Sequence, residues 1–537
     1  MVRDFVIALS LANLCFIKAW LYVNYILLLN IQYHSELPPN INYYLAVILD
    51  VLILALIFWT AITITRKFGN QTIKNISRGA FLLTLTIPIN AIVTSYYFKE
   101  QNNVSNILVI IFILLLLILS IRMFLYYRSR VISLLAKAVL ILFPFFLFNL
   151  FQPAYTFLTL NPSEFEVKPS AKTQSIKGPT NPRIVWIIFD EMDQRLTFED
   201  RPPALKLPEL DRFRSHSLYA NNAYPPAGET DLSLPSLTTG KMISEVKYDR
   251  PNDLLIRISG ENKFVGWSTL PNVFSKVYDM GFNSTLIGWY HPYGRVIGNN
   301  LTICSWHTFN NCRKATFSEA MAQQTEYFFK FLPLVGKFKI MNQISFYDEL
   351  KLEDRIKSCT EIVNESLEAA VAPEIGLTLI HIPIPHPPGL YDSAKNDYVI
   401  KGGGYMDNLV LADRILGEIR QTMENSGLWE KTTVIITSDH WLRYDIWSKN
   451  DLGVNDNNIE SFKKGMDYRV PYMIKLAGQS DGINYNQVFN TVLTHDLILA
   501  VLKNEVSSIG DVTKLIDSKC SNYLMPDYRE QKKLKKH

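Results

Sequence analysis

The 537-residue sequence predicts a molecule in two parts: an α-helical membrane domain of five spans, then an exported α/β domain built on a mainly parallel, doubly wound sheet. Three observations carry that expectation. Long apolar runs, with charges held to short gaps, fill the first 155 residues and then stop. Beyond them, unbroken apolar stretches such as IVWIIFD at 184–190 read as strands buried on both faces, as in a parallel sheet. Between those stretches the spacing turns helical along the whole remainder, as βα units require. The net charge of +4 is too small to point to a nucleic-acid partner.

The membrane part comes first. Segments 5–29, 43–64, 80–97, 104–121 and 131–151 are each apolar and long enough to cross a bilayer. The gap after the second holds Arg66, Lys67, Lys74 and Arg78, and the gap after the fourth holds Arg122, Arg128 and Arg130, whereas the other gaps hold only Lys99. The positive-inside rule then places the N-terminus in the cytoplasm and the large domain on the periplasmic or extracellular side of the inner (plasma) membrane. No small-residue cleavage site follows the first segment, so it reads as a retained span. Lys18, Asp50 and Lys137 fall within spans, as a functional pair or headgroup contact or as snorkelling ends.

The boundaries that follow are 1–155 for the five-span domain, 156–182 for a linker, 183–525 for the exported domain and 526–537 for a basic tail. The linker is polar and carries Pro162, Pro169, Pro179 and Pro182. Cys15 lies in the first span, while Cys304, Cys312, Cys359 and Cys520 make an even number in an oxidising compartment. They read as disulfide staples, with Cys304–Cys312 the favoured pair, because no CxxC or Cys/His spacing marks a zinc module.

In the exported part, the strand at 183–190 ends in Asp190-Glu191. The stretch AYPPAGETDLSLPSLTTGK follows, in which Pro225, Pro226 and Gly228 bend the chain just ahead of the Thr230 hydroxyl. A helix at 272–280 precedes a strand at 282–288 that runs into Trp289-Tyr290-His291-Pro292-Tyr293-Gly294-Arg295. Helices at 317–331 and 345–370 read as covers for the sheet. A strand at 375–381 ends in His381, and prolines then bracket His386. A helix at 405–426 leads to a strand at 432–440 that ends in Asp439-His440; 469–475 is an edge-like strand and 491–502 a final helix with His495-Asp496.

Asp190-Glu191, Thr230, His381, His386 and Asp439-His440 thus gather where open α/β sheets bind their ligands, beyond the carboxyl ends of the strands. Singly, each reads as a helix cap or a turn residue. Together, an acid, a hydroxyl and an acid with an imidazole outline a metal-activated nucleophile. Such a donor set suits one divalent ion, Zn or Mn ahead of Mg or Ca, which accommodate a histidine less well. His381, His291 and His495 are candidates for binding substrate.

The motifs PRIVWIIFDE, ETDLSLPSLTTG, HIPIPHPP, TSDH and RVPYMIK, in this order, resemble those of the alkaline phosphatase/sulfatase superfamily. The five-span layout is similar to the membrane-anchored branch that holds lipid A phosphoethanolamine transferases and lipoteichoic acid synthases. The resemblance implies a sulfatase-like fold, Thr230 as the nucleophile ten positions before Gly240, and Asp190, Thr230, Asp439 and His440 as metal ligands. It adds Glu191 as a further metal-binding acid and His386 as the catalytic group that serves the leaving group. Some positions depart from the family. The C/S-x-P-S-R context of formylglycine sulfatases is missing, as is the dinuclear Asp/His pattern, which leaves a single metal. Trp441 replaces the usual glycine, and Asp190 stands where the transferase branch has Glu. The implied function is a metal-dependent transferase moving a phosphoethanolamine- or phosphoglycerol-type group from a membrane lipid donor to an envelope glycan or lipid. The alternatives are a hydrolase of phosphate or sulfate esters and an inactive envelope-binding domain.

Overall fold

The computed structural model describes residues 1–97, 130–175, 180–308, 315–330, 346–400, 402–443 and 467–522. The chain divides into two units. Met1–Ile31, Leu37–Asn161 and Cys312–Asp348 form the first; Gln32–Glu36, Pro162–Asn311 and Glu349–His537 form the second.

The first unit is helical. Among the described residues, Ile41–Phe68 and Arg130–Thr159 are long and apolar enough to cross a membrane, with mean hydropathies of 2.7 and 2.5. Val2–Cys15 and Ile17–Ile26 would make a third span together, bent by 62° where Phe16 leaves helical dihedrals. The described chain therefore gives two or three spans rather than five. Predicted span 80–97 lies in helix Gln71–Tyr97, whose last side chains are not described, and 104–121 falls outside the described residues. Helix Ile41–Phe68 starts where the Asn40 side chain accepts from the Asn42 amide at 2.9 Å, and its last turn carries Arg66 and Lys67. Both are favourable helix ends.

Helix Phe317–Lys330 corrects an expectation. It belongs to this unit and does not cover the sheet. Ala315 and Ala320 pack with Phe16, Trp20 and Tyr43, Phe328 stacks on Phe16 at 5.4 Å, and Gln324 donates to the Tyr43 carbonyl at 2.8 Å. An amphipathic stripe fits apolar helices as well as it fits a sheet.

The second unit is built on eight strands: β1 (Ile184–Asp190), β2 (Leu218–Ala220), β3 (Asn283–Trp289), β4 (Ile303–His307), β5 (Ile375–Pro385), β6 (Thr433–Ser438), β7 (Tyr472–Lys475) and β8 (Ile483–Tyr485). Their order across the sheet is β8-β2-β7-β6-β1-β5-β3-β4. All pairings are parallel except the two made by β7, so the sheet is mostly parallel, as its apolar runs require. Side chains of β1 alternate between two cores. Ile184, Trp186 and Ile188 face one, with helices Thr230–Thr239, Val273–Asp279 and Thr494–Leu502. Val185, Ile187 and Phe189 face the other, with Pro208–Ser215 and Tyr405–Asn425. A strand with both faces buried tolerates polar groups only at its ends, and that places them on one edge.

Two more expectations change. The predicted linker is fastened to the second unit over part of its length: the Lys168 amide donates to Gly294 O at 3.0 Å, and the Ala171 amide to Leu301 O at 2.8 Å. Phe165 is buried. The disulfide reading has no support among the described residues, where Cys15, Cys304, Cys359 and Cys520 are free; Cys312 lies outside them, as does the basic tail.

Candidate active site

Four adjacent parallel strands, β6, β1, β5 and β3, end side by side. Their ends deliver Asp439-His440, Asp190-Glu191, His386 and Trp289-Tyr290-His291. Two of these turns hold non-glycine residues in the left-handed region, Glu191 at φ 70° and Tyr290 at φ 78°. Strain of this kind costs ~1–3 kcal/mol and persists only where the surroundings impose it.

Thr230 is the first residue of helix Thr230–Thr239, after an extended Glu229. Its hydroxyl donates to Asp439 Oδ2 at 2.8 Å and lies 3.4 Å from His440 Nε2. The bend that delivers it is tight. A Cβ on Gly228 would stand 2.4 Å from two ring carbons of Trp441, so the large residue after Asp439-His440 is seated in the space glycine leaves.

His440 Nε2 stands 3.3 Å from Asp190 Oδ1 and 3.6 Å from Asp439 Oδ2, all fully buried. His440 Nδ1 lies 2.9 Å from the Trp441 carbonyl, which can only accept. Nδ1 therefore carries the hydrogen and the Nε2 lone pair faces the two carboxylates. Among the described residues, Asp190 Oδ1 and Glu191 Oε2 have no hydrogen-bond partner. Burial pushes Asp190 and Asp439 up to about 7 and Glu191 up to about 8, and brings His440 down to about 4. Each group drifts toward its neutral form because burial strips the water that would solvate its charge. Lone pairs aimed at one point and orphaned carboxylate oxygens are what a divalent cation would satisfy. Asp190, Asp439 and His440 could hold such an ion, and so could Asp190, Glu191 and His386.

The surroundings orient these groups. Trp289 Nε1 donates to Asp190 Oδ2 at 2.8 Å, and the Glu191 amide donates to Asp439 Oδ1 at 3.2 Å. The Ser438 hydroxyl accepts from the Met192 amide at 2.8 Å, tying the ends of β1 and β6. The Arg443 amide donates to Glu191 Oε1 at 2.5 Å, and its guanidinium lies 3.7 Å from Oε2. His386 Nδ1 is 2.7 Å from the Pro387 carbonyl, which leaves Nε2 facing Glu191 Oε2 at 4.0 Å. Burial, with Arg443 and Arg355 nearby, holds His386 well below the usual histidine range.

The other three histidines have different surroundings. His291 Nε2 lies 3.2 Å from the Thr230 carbonyl, beneath the candidate nucleophile. His381 is not at a strand end, because β5 continues through Pro383 to Pro385; its Nδ1 is 3.0 Å from the Tyr293 hydroxyl in a fully buried position. His495 pairs with Asp496 Oδ1 at 2.8 Å and Lys276 Nζ at 3.0 Å, and its ring fills the space over Gly240, the left-handed cap ending the Thr230 helix. His381 and His495, the candidates for binding substrate, thus lie buried and hydrogen-bonded to neighbouring side chains. Sequence reasoning missed Arg443, three residues past His440 on the same loop, and the buried Tyr33-His34 pair, which no local pattern marks.

A family model described as Sulfatase matches residues 182–502. A search of curated proteins finds no match. Among solved structures, the chain is similar to Ps i-CgsB in complex with k-i-k-neocarrahexaose, at 12% identity and TM-score 0.41, covering 62% of this chain and 74% of that one. It is similar to a structure from Bacteroides thetaiotaomicron glycosaminoglycan metabolism, at 14% identity and TM-score 0.42, covering 61% and 78%. A phosphonate monoester hydrolase from Silicibacter pomeroyi matches at 13% identity and TM-score 0.39, covering 60% and 73%.

Proposed function

The chain belongs to the sulfatase family of enzymes, and from that premise we propose that it is a membrane-bound phosphoryl-group transferase using Thr230 as its nucleophile. Its donor is a lipid phosphodiester of the phosphoethanolamine or phosphoglycerol type, and its acceptor an envelope glycan or lipid. The observation that carries this reading is the Thr230 hydroxyl, 2.8 Å from Asp439 and 3.4 Å from His440. Threonine cannot supply the formylglycine of ordinary sulfatases, whereas its hydroxyl can form a phosphate ester. The two or three apolar helices favour a donor that resides in the bilayer.

Asp190, Asp439, His440 and Thr230 would hold one divalent ion, zinc or manganese, with Glu191 beside them. When bound, the ion supplies positive charge that lowers the hydroxyl pKa and steadies charge on the phosphoryl oxygens. Thr230 Oγ1 attacks phosphorus, forming an O–P bond as the donor's ester O–P bond breaks, and its proton passes to Asp439 Oδ2. The acceptor hydroxyl then attacks the phospho-Thr230, His386 Nε2 takes that hydroxyl's proton, and Thr230 regains its own from Asp439. The donor's leaving oxygen takes a proton from water as it departs and His386 gives the acceptor's proton back to water, so the cycle balances and His386 rests neutral. Trp289 and the Glu191 amide keep the carboxylates aimed. The domain works on the outer face of the membrane, with the N-terminus in the cytoplasm.

The test is intact-mass analysis of the zinc-loaded protein after mixing with a phosphodiester lipid. A phospho-type adduct on wild type, absent from Thr230→Ala, supports the reading. Donor turnover that needs an acceptor marks a transferase, and turnover with water alone marks a hydrolase. Equal turnover by wild type and Thr230→Ala would remove the nucleophile assignment.

A further inference from the structure

Gln32–Glu36 lies in sequence between the bent helix pair and helix Ile41–Phe68, yet it belongs to the second unit. Tyr33 and Ser35 are fully buried there and His34 nearly so. Arg295 fastens the segment by donating to the Tyr33 carbonyl at 2.6 Å and the Ser35 carbonyl at 2.8 Å.

Two arms lead from this segment to the first turn of the Thr230 helix. In the first, His291 Nε2 is 3.2 Å from the Thr230 carbonyl, and Tyr33 Oη is 3.0 Å from His291 Nδ1. A carbonyl only accepts, so Nε2 carries the hydrogen, and a neutral imidazole then takes the Tyr33 hydroxyl proton at Nδ1. In the second arm, His34 Nδ1 lies 3.1 Å from the Tyr290 carbonyl, and Nε2 lies 3.6 Å from Asp231 Oδ1. Asp231, next to Thr230, also receives the Tyr248 hydroxyl at 2.5 Å and the Tyr290 hydroxyl at 3.0 Å. Tyr290 is one of the two strained strand-end residues.

We propose that Tyr33 and His34 are positioning residues for Thr230, fixing its backbone carbonyl and the neighbouring carboxylate so that the hydroxyl meets Asp439 and His440. The active site is then incomplete without the loop that joins the first two apolar helical segments. This rests on the reading of Thr230 as nucleophile. Neither residue touches the reacting atoms, so the effect falls on turnover and not on binding. Misplacing a reacting group by about 1 Å can cost ~100-fold in rate.

The experiment uses the full-length, zinc-loaded protein in detergent, with bis(p-nitrophenyl) phosphate as the ester probe. Tyr33→Phe removes one hydroxyl and keeps the ring. The expected result is a kcat about 10-fold lower, with KM and zinc content unchanged. Adding Tyr33→Phe to His291→Gln should lower kcat no further, since both break one chain of hydrogen bonds. His34→Gln, which breaks the other arm, should lower kcat in the same way and provides a second variant if Tyr33→Phe fails to fold. Amide exchange over residues 229–233, followed by mass spectrometry, should quicken about 10-fold in each variant while the sheet strands keep wild-type exchange. Exchange needs no substrate, so it decides the inference even if wild type shows no Thr230-dependent turnover, an outcome that would count against the functional reading alone. Wild-type exchange over 229–233 in both variants, or exchange that rises uniformly through the unit, would overturn the positioning role.

Discussion

The Thr230 hydroxyl donates to Asp439 Oδ2 at 2.8 Å, and both residues are buried at the same sheet edge. With Thr230 as the nucleophile, Thr230→Ala removes the attacking atom and should cut ester turnover by ~10⁴-fold or more. Thr230→Ser keeps the oxygen and should retain measurable turnover. Steady-state kinetics on bis(p-nitrophenyl) phosphate checks both, and a Thr230→Ala rate within a few-fold of wild type would refute the assignment.

Asp439 and His440 meet Asp190 within reach of one ion. Asp439→Ala should therefore bring bound zinc or manganese from about one ion per chain to near zero, measured by elemental analysis after dialysis. A chelator should raise the wild-type protein's sensitivity to heat, and added metal should restore it. Equal metal content in both proteins would place the ion elsewhere.

Trp289 donates to the Asp190 oxygen that does not face His440. Removing such a donor behind a metal ligand typically weakens metal binding ~10–100-fold. Trp289→Phe should show that loss in competition with a zinc chelator. An unchanged affinity would mean that Asp190 needs no outer support.

Gly228 and Trp441 occupy one space, with the hypothetical Cβ 2.4 Å from the indole. Gly228→Ala must displace the ring beside His440 and should destabilise the protein by about 1–3 kcal/mol. Gly228→Ala combined with Trp441→Phe or Trp441→Leu should recover part of that loss, because the smaller side chain leaves room. Thermal unfolding of the single and double variants decides it; additive losses would show that the two do not share the space.

Asp496 is held well below the usual carboxylate range, first by its hydrogen bond with His495 and then by Lys519. A depressed folded pKa gives stability that is present above the unfolded value of about 4 and lost as pH falls below it. Asp496→Asn should cost about 1 kcal/mol at pH 7, a modest figure because the pair is partly solvated, with the gap to wild type closing between pH 4 and pH 2. Unfolding curves at pH 7 and pH 3 test the sign. A gap that widens in acid would show that His495 and Lys519 are not what binds Asp496.

The sheet could be read from the chain because burial on both faces leaves its own pattern: six consecutive apolar residues of β1 divide alternately between two cores. Asp190, Thr230, Asp439 and His440 were readable for the converse reason. A charge that cannot sit inside such a strand marks its end, and adjacent parallel strands end together. His381 misled because the prolines after it read as a break, yet β5 runs through them. The partner of helix 317–330 was illegible because an amphipathic stripe does not say what lies against it. Trp289 was visible as an aromatic at a strand end, but its pairing with Asp190, 99 residues away, depends on strand order. Tyr33 and His34 left no trace at all, since nothing beside them in sequence hints at their partners.

Tyr33 precedes His291 by 258 residues. At ribosomal rates of about 5–20 residues per second, roughly 13–50 s pass between the synthesis of the loop and that of its acceptor. Gln32–Glu36 must spend that interval undocked, with its buried polar groups still in water, while the apolar helices on either side of it already exist. Folding therefore includes a rendezvous between an early loop and residues made much later. A nascent protein would gain its fully held Thr230 only after that closure and after the synthesis of Asp439, 209 residues beyond Thr230, because the strand that ends there is made later still.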